Sequence, residues 1–461
     1  MLAALLPKPV LKYIQMSKYQ MKYELQMTLW FIPLIYILAS SLLVVLTLYL
    51  DLQLNISAYV PEFFQAEGQA TRTLVSTLIG GILTLSAFTL NSLLVVLTML
   101  SGQFSPRMLF DFISNRGTQH ILGIFHGSFI YVLFVFLFIT NQGDEMYVAV
   151  PFTTVSLAFI TIVVFIFFIN HASSWMQVHN FTYSMKNISK AAVQDTMRDY
   201  LEKHGTEKPG NLMEAYQGKT EVVTSPEPGY LQMINFKDMI NEARKDDVII
   251  RLYAKIGDFT LKHNRLFAVW GPGKETADLD KYNHMIEIGY KETEVQEVKM
   301  GITKLSEVAV KAIGNSDPKT AVSAIHQMAD LVVSIEGDMT FTSYLQDEDR
   351  QTRVIMSAED FEYFMYVGFG YIRHYAGHNY VIITEIIVAL GKMAQTISSD
   401  KLDSIWEFGS NSIDHISQHF IFKLDKRYLL SKVYELALYT NHEMDYYAVE
   451  KRLNQTEPDH L

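Results

Sequence analysis

Four apolar windows, at about Leu29 to Leu50, Leu74 to Leu100, Ile121 to Thr140 and Val148 to Asn170, constrain this chain more than any other feature. Each is long enough to cross the ~30 Å hydrocarbon core of a bilayer as a helix. Backbone groups in hydrocarbon must satisfy one another, so the windows predict a four-helix transmembrane bundle. Their flanks give a direction. Lys8, Lys12, Lys18 and Lys22 precede the first window, Arg107 and Arg116 lie between the second and third, and Lys186, Lys190 and Arg198 follow the fourth. The opposite loops carry Asp51, Glu62, Glu67, Arg72, Asp144 and Glu145. The positive-inside rule then places both termini in the cytoplasm. The N-terminal residues have too short an apolar stretch and no small-residue cleavage site, which predicts no removable signal peptide.

Charge divides the chain. Residues 1–171 hold seven Lys plus Arg and seven Asp plus Glu, so the whole formal charge of −11 falls on the remainder. An acidic soluble half without a concentrated basic patch gives no electrostatic basis for binding nucleic acid. Zero cysteines exclude a disulfide framework, thiol chemistry and Cys-ligated zinc.

The second window differs from the others. Thr77, Gly81, Thr84, Asn91, Thr98 and Ser101 recur at helical steps and fall on or near one face, joined by Gly80 and Ala87. Two readings stand side by side. The face lines a water-filled path at the centre of an oligomer, or it is a packing face in which Ser76 with Gly80 and Thr77 with Gly81 form small-xxx-small pairs. No full charge lies on the stripe, which argues against a voltage sensor. His126, beside Gly123, Gly127 and Ser128 in the third window, is either a pH- or ion-sensing imidazole or a simple hydrogen-bonding group. After Ser101, the run Gln103, Phe104, Ser105, Pro106 and Arg107 breaks the helix, since Pro106 cannot extend it. This elbow at the inner surface is either a plain interfacial turn or a lever coupled to a gate.

The rest reads as a cytosolic domain. Residues 172–225 form a connecting helix and linker with a short strand at Thr220 to Thr224. Residues 226–272 form a small α+β module, with strands in YLQMIN, VIIRLYAK and NRLFAVW and a helix in FKDMINEARKDD. From 273 to 461 helical periodicity dominates, with helices expected at Lys281 to Ala312, Pro318 to Ile335, Asp360 to Ala376, Tyr380 to Ile397, Lys401 to Phe420 and Lys426 to Leu453. Ser316 or Asp317 before Pro318 is a helix cap.

Motifs that carry chemistry are scarce. WGPGK at Trp270 to Lys274 lacks the Lys-Ser/Thr ending of a phosphate loop. His374 with His378 and His415 with His419 have i,i+4 spacing but no HExxH context, so they read as surface histidines. Asp347, Glu348 and Asp349 read as a solvated loop without the ligand alternation of a calcium site. No catalytic residue, metal site or cofactor is expected.

One block is more specific. The run STLIGGILTLSAFTLNSLLVVLTMLSGQFSPRMLFDFISNRGTQHILGIFHGSFIYVLFVF, with QFSPR at Gln103 to Arg107 followed by RGTQ, resembles a bacterial family of predicted membrane proteins defined by a domain of unknown function, number 2254. Weaker likenesses run through PGYLQMI, IGDF, GYKETEVQE, DPKTA and GFGYIRHY, so the resemblance covers about Leu74 to Ala394. It implies an N-terminal membrane bundle, a large cytosolic domain and residence in the bacterial inner membrane, and no particular reaction. The chain departs from the family block at His263, Glu292, Ser316 and Tyr371, where Gly, Arg, Asn and Gln are usual.

Together these features predict a mainly α protein: a cytosolic N-terminal segment to residue 24, a four-helix transmembrane bundle over 25–171, and a cytosolic domain with an α+β module and a helical bundle. The function expected is that of a homo-oligomeric channel-like or transport protein for ions or small solutes. Membrane lipid surrounds it, and its acidic domain gates it, with an ion or small ligand bound there. The alternative is a membrane-anchored sensor or scaffold that conducts nothing.

Overall fold

The computed structural model describes residues 28–103, 112–139, 146–177, 180, 182–187, 204–206, 220–290, 292, 298–338, 343–357, 359–414, 416 and 422–455. The chain divides into two compact units, Met1–Phe181 and Thr182–Leu461.

Among its described residues the first unit holds four helices long and apolar enough to cross a membrane: α1 (Phe31–Leu52), α2 (Gly68–Gln103), α3 (Arg116–Phe138) and α4 (Ala149–Trp175). All four apolar windows become helices, but α2 and α3 begin well before their windows do. The apolar run marks what lipid can cover, whereas a helix starts where its first amides find a partner. For α3 that partner is the Asn115 side chain, which accepts from the Thr118 N–H. At 36 residues, α2 is ~54 Å long, more than a bilayer requires.

Close helix packing in this unit centres on α3. A Cβ on Gly127 would meet Ser40 Oγ at 2.7 Å and the Tyr36 carbonyl at 3.2 Å, and one on Gly123 would clash with the Tyr36 ring. The Gly-xxx-Gly pair thus lets α1 lie against the α3 backbone. Val44, Val75, Ile82, Tyr131, Val132, Val135 and Val150 form the core around it. Two short strands, β1 (Ala66–Glu67) and β2 (Met146–Tyr147), pair antiparallel and tie the α1–α2 loop to the start of α4.

The second unit is built on two sheets. In the larger, β3 (Gly205–Thr206), β4 (Glu221–Thr224), β6 (Ile249–Leu252), β8 (Arg265–Trp270), β10 (Tyr344–Gln346) and β11 (Thr352–Ile355) run in the order β3-β10-β11-β6-β8-β4. Only the β11–β6 pair is parallel. In the smaller, β5 (Gly229–Ile234) is flanked by β7 (Phe259–Thr260) and β9 (Ile286–Gly289). Helix α5 (Phe236–Lys245) buries Met239, Ile240 and Ala243 in a core shared with Leu231, Phe267, Val269, Leu345 and Val354.

That core corrects the expected module boundary at 272. Strands β9, β10 and β11 come from the stretch read as helical and complete the sheets, with alternating burial in β10 and β11. The helix expected over 281–312 is instead a short α6 (Leu279–Asn283), strand β9 and α7 (Val298–Gly314). Next come α8 (Pro318–Asp338), α9 (Phe361–Met365), a π turn at Tyr366–Gly370, α10 (Tyr371–Ala376), α11 (Tyr380–Ala394) and α12 (Leu402–Asp414). Asn441, left-handed at φ +62°, splits the last expected helix into α13 (Lys423–Thr440) and α14 (Glu443–Gln455). Asp317 caps α8 through the Thr320 N–H, and hydrogen bonding by Thr320 holds its carboxyl below the usual range.

Two of the departures from the family block have a backbone consequence. His263 (φ +71°) and Ser316 (φ +57°) both occupy the left-handed region, where Gly and Asn are tolerated best. His263→Gly is expected to stabilise the protein by roughly 0.5 to 1 kcal/mol and Ser316→Asn by a few tenths. Thermal unfolding in detergent measures both, and a lowered Tm for the glycine variant contradicts the assignment. Conversely, Gly127→Leu drives a side chain into Ser40 and the α1 backbone, at a cost of about 3 kcal/mol or more. It should lower the Tm by several degrees and yield a heterogeneous profile in size-exclusion chromatography.

Candidate functional site

The polar residues of α2 were expected either to line a path or to pack against another helix. Their placement follows from helical geometry. Thr71, Val75, Ile82, Ser86, Thr89, Leu93, Val96 and Leu100 are buried in the unit. At 100° per residue they form one stripe, and the line through Thr77, Gly81, Thr84, Asn91 and Thr98 lies roughly 180° away. Those five residues are exposed, as are Ser76, Gly80 and Ala87. A Cβ added at Gly80 or Gly81 meets nothing within 4 Å. Among the described residues the small-xxx-small pairs of α2 therefore have no helix packed against them; that role belongs to Gly123 and Gly127. Ser101, in the last turn, is half-buried at the edge of the stripe.

The threonines are not bare. Thr77, Thr84 and Thr98 each donate a hydroxyl hydrogen bond to the carbonyl four residues back, at 2.8 to 2.9 Å. Their donors are spent on the helix, and the oxygen lone pairs remain on the outward side. Asn91 presents the largest polar group on this face, an amide with both donors and an acceptor.

His126 does not join the stripe. It lies half-buried on α3, and its Nδ1 is 2.6 Å from the Leu122 carbonyl, one turn back. Of the expected elbow, Gln103 ends α2, and Phe104, Ser105, Pro106 and Arg107 lie outside the described residues. So do His415 and His419. His374 ends α10 with its ring edge-on to Tyr375. Among the described residues no three His, Asp or Glu side chains gather as a metal site would require.

A second polar centre was not foreseen. Asp51, read as a loop residue, is buried in the last turn of α1. Its carboxylate accepts from the backbone N–H groups of Val148 (3.2 Å), Ala149 (2.8 Å) and Val150 (2.8 Å). The start of α4 has no side-chain cap of its own from Val148, so α1 supplies it. Nearby, Tyr131 donates to Thr47, whose hydroxyl in turn donates to the Leu43 carbonyl. The only sequence signal was an aspartate directly after an apolar window, which is also what a loop looks like.

In the second unit, Asp347 is not solvated. Arg353 Nε lies 2.7 Å from its carboxylate, and the same guanidinium reaches Asp247 at 2.9 Å. Burial pushes the Asp347 carboxyl up, but the hydrogen bonds from Arg353 and the Gln351 and Asp349 amides outweigh it and hold the carboxyl below its usual range. Glu348 and Asp349 both bridge to Arg244. The acidic run is thus a brace between the β10–β11 turn and α5.

The geometry describes a helical membrane protein with a folded C-terminal unit. The family model of predicted membrane proteins designated DUF2254 matches residues 26–392, and the chain belongs to that family. It is 21% identical over 309 residues to an uncharacterised protein of Mycobacterium tuberculosis (strain H37Rv), and equally to one of Mycobacterium bovis. Each alignment covers 65% of this chain and 59% of the relative, so the chain spans well under two thirds of the curated relatives it matches. No solved structure is similar to it.

Removing the shared cap tests the Asp51 assignment. Asp51→Ala leaves three amides at the start of α4 without their acceptor and is expected to cost roughly 2 to 3 kcal/mol. Asp51→Asn keeps one acceptor oxygen and should recover about half of that loss in the unfolding transition. Equal behaviour of alanine and aspartate at this position would refute the cap.

Proposed function

We propose that this chain assembles as a homo-oligomer in the bacterial cell membrane, termini in the cytoplasm, and that α2 of each copy lines a polar path for ions or small solutes. What carries this reading is the direction of the α2 stripe. A helix with one apolar face packed on its own bundle and a row of hydroxyls, glycines and an amide on the other cannot present that row to lipid without cost. A second copy and water satisfy it. The C-terminal unit, acidic in net charge, is the regulatory part and the place where an ion or small ligand acts; nucleic acid is not a partner. No catalytic residue, metal or cofactor is assigned.

The back-bonded threonines favour one competing account, because hydroxyls already satisfied by their own helix tolerate a dry contact. On that account the copies still associate through α2, but the protein is a membrane-anchored sensor or scaffold.

The absence of cysteine makes the two separable. In proteoliposomes, Asn91→Cys and Thr84→Cys should react with a membrane-impermeant thiol reagent, Leu93→Cys should not, and modification at position 91 should reduce ion flux severalfold. Rapid disulfide formation between copies at Gly81→Cys, with positions 84 and 91 unreactive and no flux at any voltage, calcium level or pH, overturns conduction and leaves the anchored sensor.

A further inference from the structure

Between α1 and α2 the chain reads QLNISAYVPEFFQAE, a loop with an unusual share of aromatic residues. It is shaped by its own hydrogen bonds. Asn55 turns the chain at φ +43° and its side chain accepts from Ser57 Oγ at 2.6 Å. Two 3-10 turns follow, Ile56–Tyr59 and Glu62–Phe64. Gln65 closes the loop by donating to the carbonyls of Ser57 (2.8 Å) and Val60 (2.9 Å). The β1–β2 pair then fastens its far end.

A loop held this firmly has inside positions available, yet the large apolar side chains point out. Phe63 is 90% exposed, Tyr59 is 87% exposed, and Phe64 and Leu54 are at least half exposed. Phe63 and Phe64 meet edge to face at 5.4 Å, forming one aromatic surface. The loop follows directly on α1, whose last turn exposes Tyr49 and Leu52. Aromatic rings at the end of a membrane-crossing helix fit the headgroup level of a bilayer, where an apolar body and a wet surrounding coexist. The internally bonded carbonyls of Ser57 and Val60 make shallow immersion feasible, and Glu62 limits its depth.

We infer that the loop over residues 54–64 is a membrane-interface anchor: Tyr59, Phe63 and Phe64 rest among the headgroups and upper acyl chains of the leaflet at which α1 ends. The partner is lipid, because the aromatic residues follow directly on a helix long and apolar enough to cross a membrane, whose outward side chains are apolar up to its last turn. The anchor is independent of conduction. It fixes the height of α1 at that end, and through Asp51 the height of the first turn of α4.

Nitroxide labels test it in the full-length protein. Phe63→Cys, Tyr59→Cys and, as a control, Glu62→Cys are labelled and reconstituted in vesicles of phosphatidylethanolamine and phosphatidylglycerol. Relaxation by oxygen should exceed relaxation by a water-soluble nickel chelate severalfold at positions 59 and 63, with the order reversed at 62. These side chains are exposed, so the substitutions leave the fold intact, and Phe64→Cys supplies a further site. Nickel relaxation at 59 and 63 as strong as at 62, or dipolar broadening between labels on neighbouring copies, overturns the proposal.

Discussion

Backbone amides that face hydrocarbon or a dry helix contact must be satisfied, and in the first unit that constraint is met across helices by Asp51. A carboxylate in the last turn of α1 is unfavourable for that helix, whose C-terminal end already carries partial negative charge. The same carboxylate at the first turn of α4 accepts three N–H groups and meets the positive end of the helix. The cost to α1 is thereby returned as a fixed spacing between α1 and α4. Tyr131 and Thr47, bonded together one turn deeper, add α3 to the same layer. Three helices are therefore registered at one level by polar groups, and the Gly123 and Gly127 contact registers α1 with α3 again further along.

With α1, α3 and α4 fixed in this way, the freedom left to α2 concerns which side it turns inward. Its packed side fits the core with Val75 and Ile82, and the polar row is left outside among exposed Phe88, Leu94 and Val95. A helix that needed only to anchor the chain would gain from Leu or Val at positions 77, 84, 91 and 98. Polar groups there cost insertion energy unless something outside the single chain meets them, and an interhelical hydrogen bond to such a group contributes only roughly 0.6 to 2 kcal/mol. The row of several groups, and not any one of them, gives the face its weight.

How far the residues alone disclosed this depends on the range of the interaction. The four spans were legible because lipid imposes a local, length-dependent demand on composition. The α2 stripe was legible because helical periodicity is local too. The Asp317 cap, β5, α5, β6 and β8 follow from signals within a few residues. Asp51 was misplaced because its partners are nearly a hundred residues away, and nothing near it tells a helix end from a loop. Strands β10 and β11 were hidden for the same reason: each is three or four residues long, and β11 takes its parallel partner from β6, a hundred residues earlier. The role of Gly123 and Gly127 was open because a Gly-xxx-Gly spacing on α3 and small-xxx-small spacings on α2 look equivalent until one sees which has a helix opposite.

Soon after Trp175 the chain enters residues that belong to the second unit, where Lys186 Nζ holds Asp330 of α8 at 2.6 Å and Thr182 meets Ser323 of the same helix. At the other end of the helix, the first turn of α4 is held to α1 by Asp51. Along its length α4 touches α2, with Phe165 edge-on to Phe88 at 5.6 Å. Phe88 sits one turn before Asn91 and beside the polar row. Under the proposed function, opening a path along α2 repacks that helix against α4, whose first turn the Asp51 carboxylate holds to α1.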